Sequence, residues 1–269
     1  MSTMSFPPLL RGITPANLTY TTALAIASAA VSSALFLIAY RDYRAYVALG
    51  PHGLPDTFWG WYMQLKLSRK ARKDIIAPAP YDIDTVKVTM GPNAMRSYLP
   101  RTEKEASFAP RDGPRPHIPG FTAPQRQTTA QATLDTKAQM TSFLSQLVQE
   151  NSTILQFENS ELEGPVPAVQ LRKSVGRRPE YLAQTKGEMA HVHPIDGSTH
   201  LVLSLKDSEE VIQRGWGQRH RLSGTVVGWS YTLVYAPRDE EELEVWKSII
   251  VAAVRYCCGE IAAVKVPAQ

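Results

Sequence analysis

Four of the six histidines in this chain fall between positions 188 and 220, within E-M-A-H-V-H, T-H-L-V-L-S-L and G-W-G-Q-R-H. Imidazole titrates near neutrality and is the commonest metal ligand, so such a cluster points to proton transfer or to metal binding. His191 and His193 stand at i and i+2, which on a strand projects both rings from one face. His200 opens an apolar run that reads as a second strand, and His220 closes a glycine-flanked loop. Two strands and that loop can bring four rings together.

Two chemistries fit these residues. As a metal centre, His191, His193 and His200 would ligate Fe, Mn or Zn. As a metal-free site, one histidine would take a proton while Arg219 or Lys186 stabilises an oxyanion. Glu188 adds a carboxylate to either, although three residues from His191 on an unbroken strand it would face away. Spacing leaves both open, beside a bland reading of polar residues at a sheet edge. No Ser-His-Asp order, P-loop or dinucleotide fingerprint occurs, and G-W-G-Q-R-H lacks the third glycine.

The elements that must position these groups follow from periodicity. Leu134, Phe143, Leu144, Leu147 and Val148 recur at helical spacing and predict a helix to Glu150. Short strands are expected near 154–157 and 168–171, then at 187–193, 200–205 and 229–235. Asp207 can cap a short helix ended by Gly215. Asp239, with Glu242 three residues on, starts an amphipathic C-terminal helix. Strands cluster without βαβ alternation, so the expected class is α+β, an antiparallel sheet flanked by helices. Cys257 and Cys258 lie on that last helix as buried small hydrophobes, and their adjacency argues against a disulfide framework or zinc ribbon.

Upstream the chain changes character. Residues 18–40 carry no charge and suit one transmembrane helix, with a cleaved signal peptide as the alternative. Arg41, Arg44, Lys66, Arg69 and Lys70 follow the span while only Arg11 precedes it, which places the main domain in the cytosol, as on an endomembrane. Residues 59–73 are aromatic and then basic, fitting a helix on the membrane surface or one packed on the domain. Nine prolines between 78 and 124 exclude long helices and central strands there. The expected organisation is a tail (1–17), an anchor (18–40), a juxtamembrane and Pro-rich extended segment (41–130) and an α+β domain (131–269). With 29 basic and 25 acidic residues the net charge of +4 is modest, and no nucleic-acid-binding signature occurs.

T-K-G-E-M-A-H-V-H, T-H-L-V-L-S-L, G-W-G-Q-R-H-R-L-S-G and L-V-Y-A-P-R-D-E-E-E-L together closely resemble the fungal luciferases and their luciferase-like relatives. R-D-Y after the anchor, Gly50-Pro51, and R-P-x-I with Q-R-Q at 115–127 extend the likeness over nearly the whole chain. The resemblance implies a membrane-anchored oxygenase acting on a hydroxypyrone or polyketide of the hispidin type. The light-producing members add O2 to 3-hydroxyhispidin, and the cyclic peroxide loses CO2, with neither flavin nor known metal. Carried onto this chain, His191, His193, His200, His220, Arg219 and Glu188 would be catalytic. Lys186 and Trp216 would contact substrate, and O2 would be the co-substrate. Two other readings stand beside it: a decarboxylase, cyclase or isomerase of secondary metabolism, and a non-catalytic binding protein that keeps the fold.

Overall fold

The computed structural model describes residues 15–51, 53–101, 108–176, 178–259 and 261–267. The chain separates into two units, Met1–Ala48 and Leu49–Gln269. The first contains helix α1 (Pro15–Val47), 33 residues that begin on proline, whose fixed φ suits a first helical position. Within its stretch Thr19–Val47 an 18-residue window reaches a mean hydropathy of 2.0, long and apolar enough to cross a membrane. Ile26, Leu35 and Phe36 are exposed along it. The helix runs past Tyr40 because Arg41, Tyr43 and Arg44 do not break helical backbone. Most of the expected tail, including Arg11, lies outside the described residues.

The second unit begins with two helices in the juxtamembrane and Pro-rich segment: α2 (Phe58–Ser68), within the stretch read as a helix, and α3 (Ile83–Met90), in the part expected to be extended. Both are short and fall between prolines, so the imino acids bound them without entering them. Thr57 caps α2, and Asp82 caps α3 by accepting from the Asp84 amide at 3.1 Å. α2 buries Trp61 and Gln64 and leaves Phe58 and Trp59 exposed.

Six strands then form one antiparallel sheet: β1 (Leu155–Asn159), β2 (Pro167–Leu171), β3 (Glu188–Val192), β4 (Thr199–Val202), β5 (Gly217–Arg219) and β6 (Tyr231–Val234). Their order is β1-β2-β3-β4-β6-β5. Helices α4 (Leu134–Glu150), α5 (Leu205–Gln213) and α6 (Glu240–Cys258) accompany it, so the fold is the α+β class that periodicity predicts. One cap differs from expectation. Ser204, not Asp207, caps α5, accepting from the Asp207 amide at 3.0 Å. The Asp207 carboxylate instead accepts from Ser97 Oγ at 2.6 Å and the Tyr98 amide at 2.9 Å. Strand β5 was also missed, since three residues are too few to show alternation.

The two faces of the sheet divide the work. Thr199 and Leu201 point to the helical side, where Trp246 of α6 donates its indole N–H to Thr199 Oγ1 at 2.9 Å. Leu144, Leu147, Leu155, Leu201, Ile249 and both cysteines belong to the core built there. His200, between Thr199 and Leu201, points the other way. The Pro-rich segment is no free linker. Ile75 accepts from the Arg219 amide at 2.8 Å, and Arg115 donates to the Gly217 carbonyl at 2.6 Å. These bonds occupy the outer edge of β5, which would otherwise present unpaired backbone.

Candidate functional site

Register brings the histidines together. His191 of β3 and His200 of β4 are direct cross-strand partners, with ring centroids 5.2 Å apart. His193 follows β3 immediately, and its ring lies 4.7 Å from His200. His220 follows β5, two positions beyond Gln218, and lies 4.9 Å from His200 on the other side. All four rings are buried; His191 and His193 are 0% exposed and His220 6%. Tyr231 closes the row, 5.1 Å from His200 and 5.2 Å from His220.

Three of the four rings are oriented by an acid, directly or through a hydroxyl, or by a backbone group. Glu188 Oε1 accepts from His191 Nδ1, although an unbroken strand would separate them. The reason is a β-bulge: Val169 pairs with Ala190 and Gln170 with Glu188, so Met189 has no partner on β2. Two residues opposing one shift the alternation and return Glu188 to the imidazole face. His193 Nδ1 donates to Ser198 Oγ at 2.8 Å, and Ser198 donates to Asp196 Oδ2 at 2.5 Å. Asp196 is held in turn by the Gln127 amide at 2.8 Å. Gly197 makes this loop possible: its φ is +80°, and a Cβ there would meet the Ala132 Cβ at 2.6 Å. His220 Nδ1 accepts the Leu222 amide at 3.0 Å, which places its proton on Nε2 in the neutral form.

With Nδ1 of His191 and His193 committed as donors, Nε2 carries the lone pair in the neutral form of each ring. The Nε2 atoms of His191, His193 and His200 are buried and have no hydrogen-bond partner among the described residues. Glu163, from the turn between β1 and β2, brings its carboxylate 4.0 Å from His193 Nε2. Ser160 Oγ sets that turn by accepting from the Glu163 amide at 2.9 Å. Arg126, fully buried, pairs with Glu163 and donates to the Leu49 carbonyl at 3.1 Å.

Burial and charge sort the four rings. Burial lowers His191, but the carboxylates of Glu188 and Glu163 outweigh it and hold this imidazole above its usual range. Burial pushes His193 and His200 well down, helped by neighbouring imidazoles and, for both, by Arg126. His220 is pulled down to about 3, again mainly by burial. The site therefore offers three neutral imidazoles in a dry environment, beside His191, whose proton its carboxylate neighbours help to hold.

The other expected members stand elsewhere, which corrects their expected grouping. Arg219 alternates with Gln218 on β5 and so leaves the imidazole face; it donates to Pro78 O at 2.6 Å, Trp229 O at 2.5 Å and Ser208 Oγ at 3.2 Å. Lys186 sits in the left-handed region (φ 56°), half exposed, and pairs with Glu161 at 2.9 Å. Trp216 donates to the Ala109 carbonyl at 2.9 Å and packs edge-on against Phe108. Spacing carried no signal for Glu163, Asp196 or Ser198. Arg126 had one only through the Q-R-Q fragment.

Residues 186–253, which carry every histidine of the cluster, match the Luciferase domain family. Over 252 residues the chain is 31% identical to a luciferase of Armillaria gallica, covering 88% of each protein. It is similarly 31% identical to an Armillaria ostoyae luciferase, over 88% of this chain and 89% of that one. The chain belongs to the fungal luciferase family. A luciferase of Neonothopanus nambi is 29% identical over 85% of both chains. No solved structure matches. Among these luciferase-type relatives, the imidazole face lies within the part that the family shares.

Proposed function

We propose that this protein catalyses a luciferase-type oxidation, the O2-dependent conversion of an electron-rich hydroxypyrone or polyketide, at the imidazole face. One observation carries the reading: three buried Nε2 atoms without hydrogen-bond partners, those of His191, His193 and His200, belong to one cluster of rings with the protonated Nε2 of His220. Triplet O2 reacts slowly with closed-shell molecules unless they donate an electron, and an enolate is such a donor. A buried imidazole is a fitting acceptor for the enol proton, and Glu188 strengthens His191 in that role. O2 then bonds to the electron-rich carbon and becomes a peroxide anion. His220 Nε2–H is positioned to donate to that developing charge. Closure onto the lactone carbonyl and loss of CO2 complete the oxidation, with O2 as oxidant.

Burial of all four rings excludes water, which favours charge transfer inside and protects a peroxide. His220, the most exposed of the four at 6%, marks the rim where substrate enters. Helix α1 anchors the protein in a membrane, with the second unit on the cytosolic side by the charge asymmetry around the span. Such anchoring suits a sparingly soluble aromatic substrate.

The test is to incubate the purified full chain with 3-hydroxyhispidin while recording light, O2 uptake, CO2 and products. O2 consumption in step with substrate loss, strongly reduced in His191→Gln and His200→Gln, is the expected result. Substrate loss without O2 uptake would instead make the protein a decarboxylase, cyclase or isomerase. Tight binding without turnover would make it a binding protein.

A further inference from the structure

We propose that the imidazole face is a divalent transition-metal site whose ligands are His191, His193, His200 and Glu163. The family resemblance carried no metal, and spacing named only the three histidines; the carboxylate comes from a different hairpin. One donor atom from each of the four lies within 4.8 Å of every other, and all four residues are buried. Metal–nitrogen and metal–oxygen bonds of about 2.0–2.2 Å need donors roughly 3 Å to 4 Å apart, so the widest pair has to close by roughly 1 Å through side-chain adjustment.

Three features separate this group from a chance cluster. First, Nε2 of His191, of His193 and of His200 is buried without a hydrogen-bond partner among the described residues. A buried polar nitrogen without a partner costs free energy, and here three such nitrogens belong to rings 4.7 Å to 5.2 Å apart. Second, His191 and His193 each give their Nδ1–H to an outer group: Glu188 directly, and Asp196 through Ser198. That is how metal-binding imidazoles are held in the ligating tautomer with Nε2 turned to the ion. Third, the donor set is three nitrogens and one carboxylate oxygen, a borderline set suited to Fe(II), Mn(II), Co(II) or Zn(II). Arg126 is the competing cation, since it already pairs with Glu163. A bound ion would share that carboxylate, leaving Arg126 on one oxygen and the Leu49 carbonyl.

This inference rests on the same site as the proposed oxidation but not on its substrate, so the two are tested apart. Chelator-treated full-length protein is titrated with Co(II), followed by its visible d–d absorption, and with Zn(II), Mn(II) and anaerobic Fe(II) by calorimetry. One ion per chain is expected, with a raised thermal midpoint. Glu163→Gln, which keeps the volume, should weaken binding by tenfold or more, and Glu188→Gln by about ten- to a hundredfold through the ring it orients. Should a glutamine variant fail to fold, the wild-type titration with bound-ion spectroscopy decides alone. Absence of stoichiometric binding by all four ions overturns the proposal. Full O2 consumption by the chelated protein also overturns it, while leaving the oxidation reading intact. Stoichiometric metal with no turnover of any hydroxypyrone would do the reverse.

Discussion

Glu188 and His191 bond side chain to side chain from positions three apart on one strand, because Met189 bulges out of register between them. The bulge does more than join two residues. It sets the His191 tautomer, so that Nδ1 is the donor and Nε2 faces His193 and His200.

Glu188→Gln tests what that bond does. The amide preserves shape and can still accept through its oxygen, but it removes the negative charge behind the imidazole. Turnover should fall by roughly ten- to a hundredfold with a smaller change in KM, because the lost interaction strengthens only as charge develops on the ring. Steady-state kinetics on an accepted substrate provide the check. A change confined to KM would assign Glu188 to substrate binding.

The Arg126–Glu163 pair should behave as a buried ion pair does. Arg126→Met strands the Glu163 carboxylate and is expected to destabilise the second unit by about 3–5 kcal/mol. Replacing both partners, Arg126→Met with Glu163→Met, should recover much of that loss while abolishing activity. Denaturant melts of the two variants, set beside their activity, separate stability from function.

Acid sensitivity is expected from Glu242, at the start of α6. Burial raises its carboxyl, but hydrogen bonds from Arg238 and Arg111 outweigh that and hold it below its usual range. Arg111 donates to it at 2.9 Å and 3.1 Å, so the pair ties the Pro-rich segment to the helix. A carboxylate lowered in the folded state contributes stability above its unfolded value, lost as pH falls through the folded one. Thermal midpoints of wild type and Glu242→Gln, measured from about pH 7 down to about pH 3, should converge towards acid. A constant offset across that range would contradict the assignment.

Helix α1 makes a further prediction. If it spans a bilayer, the full chain stays with membranes through alkaline carbonate extraction. Ala29→Arg, near the middle of the apolar stretch, should weaken insertion by about 2.5–3.5 kcal/mol and shift protein to the soluble fraction. Retention unchanged by arginine at this depth would mean attachment by other surfaces.

Much of the framework was legible in the residues themselves. Helical spacing located α4 and α6, the Asp239 cap and Glu242 marked where α6 begins, and strand alternation put His191 and His193 on one face. The uncharged stretch before Arg41 announced a helix able to cross a membrane, and local motifs carried the family. These are properties of neighbours in sequence, which periodicity and composition report directly.

What needed the tertiary structure was everything that joins distant positions. The pairing of His191 with His200 depends on register, and the return of Glu188 to their face depends on a bulge set by β2. Glu163, Arg126 and Asp196 come from separate turns with no shared spacing, so no pattern could group them. Arg219, Lys186 and Trp216 lie close to the histidines in sequence yet serve the sheet edge, an exposed turn and the core. A strand reverses its face at every residue, so nearness in sequence says little about nearness at a site. Where four imidazoles meet, and which acids stand behind them, is decided only when the sheet closes over them.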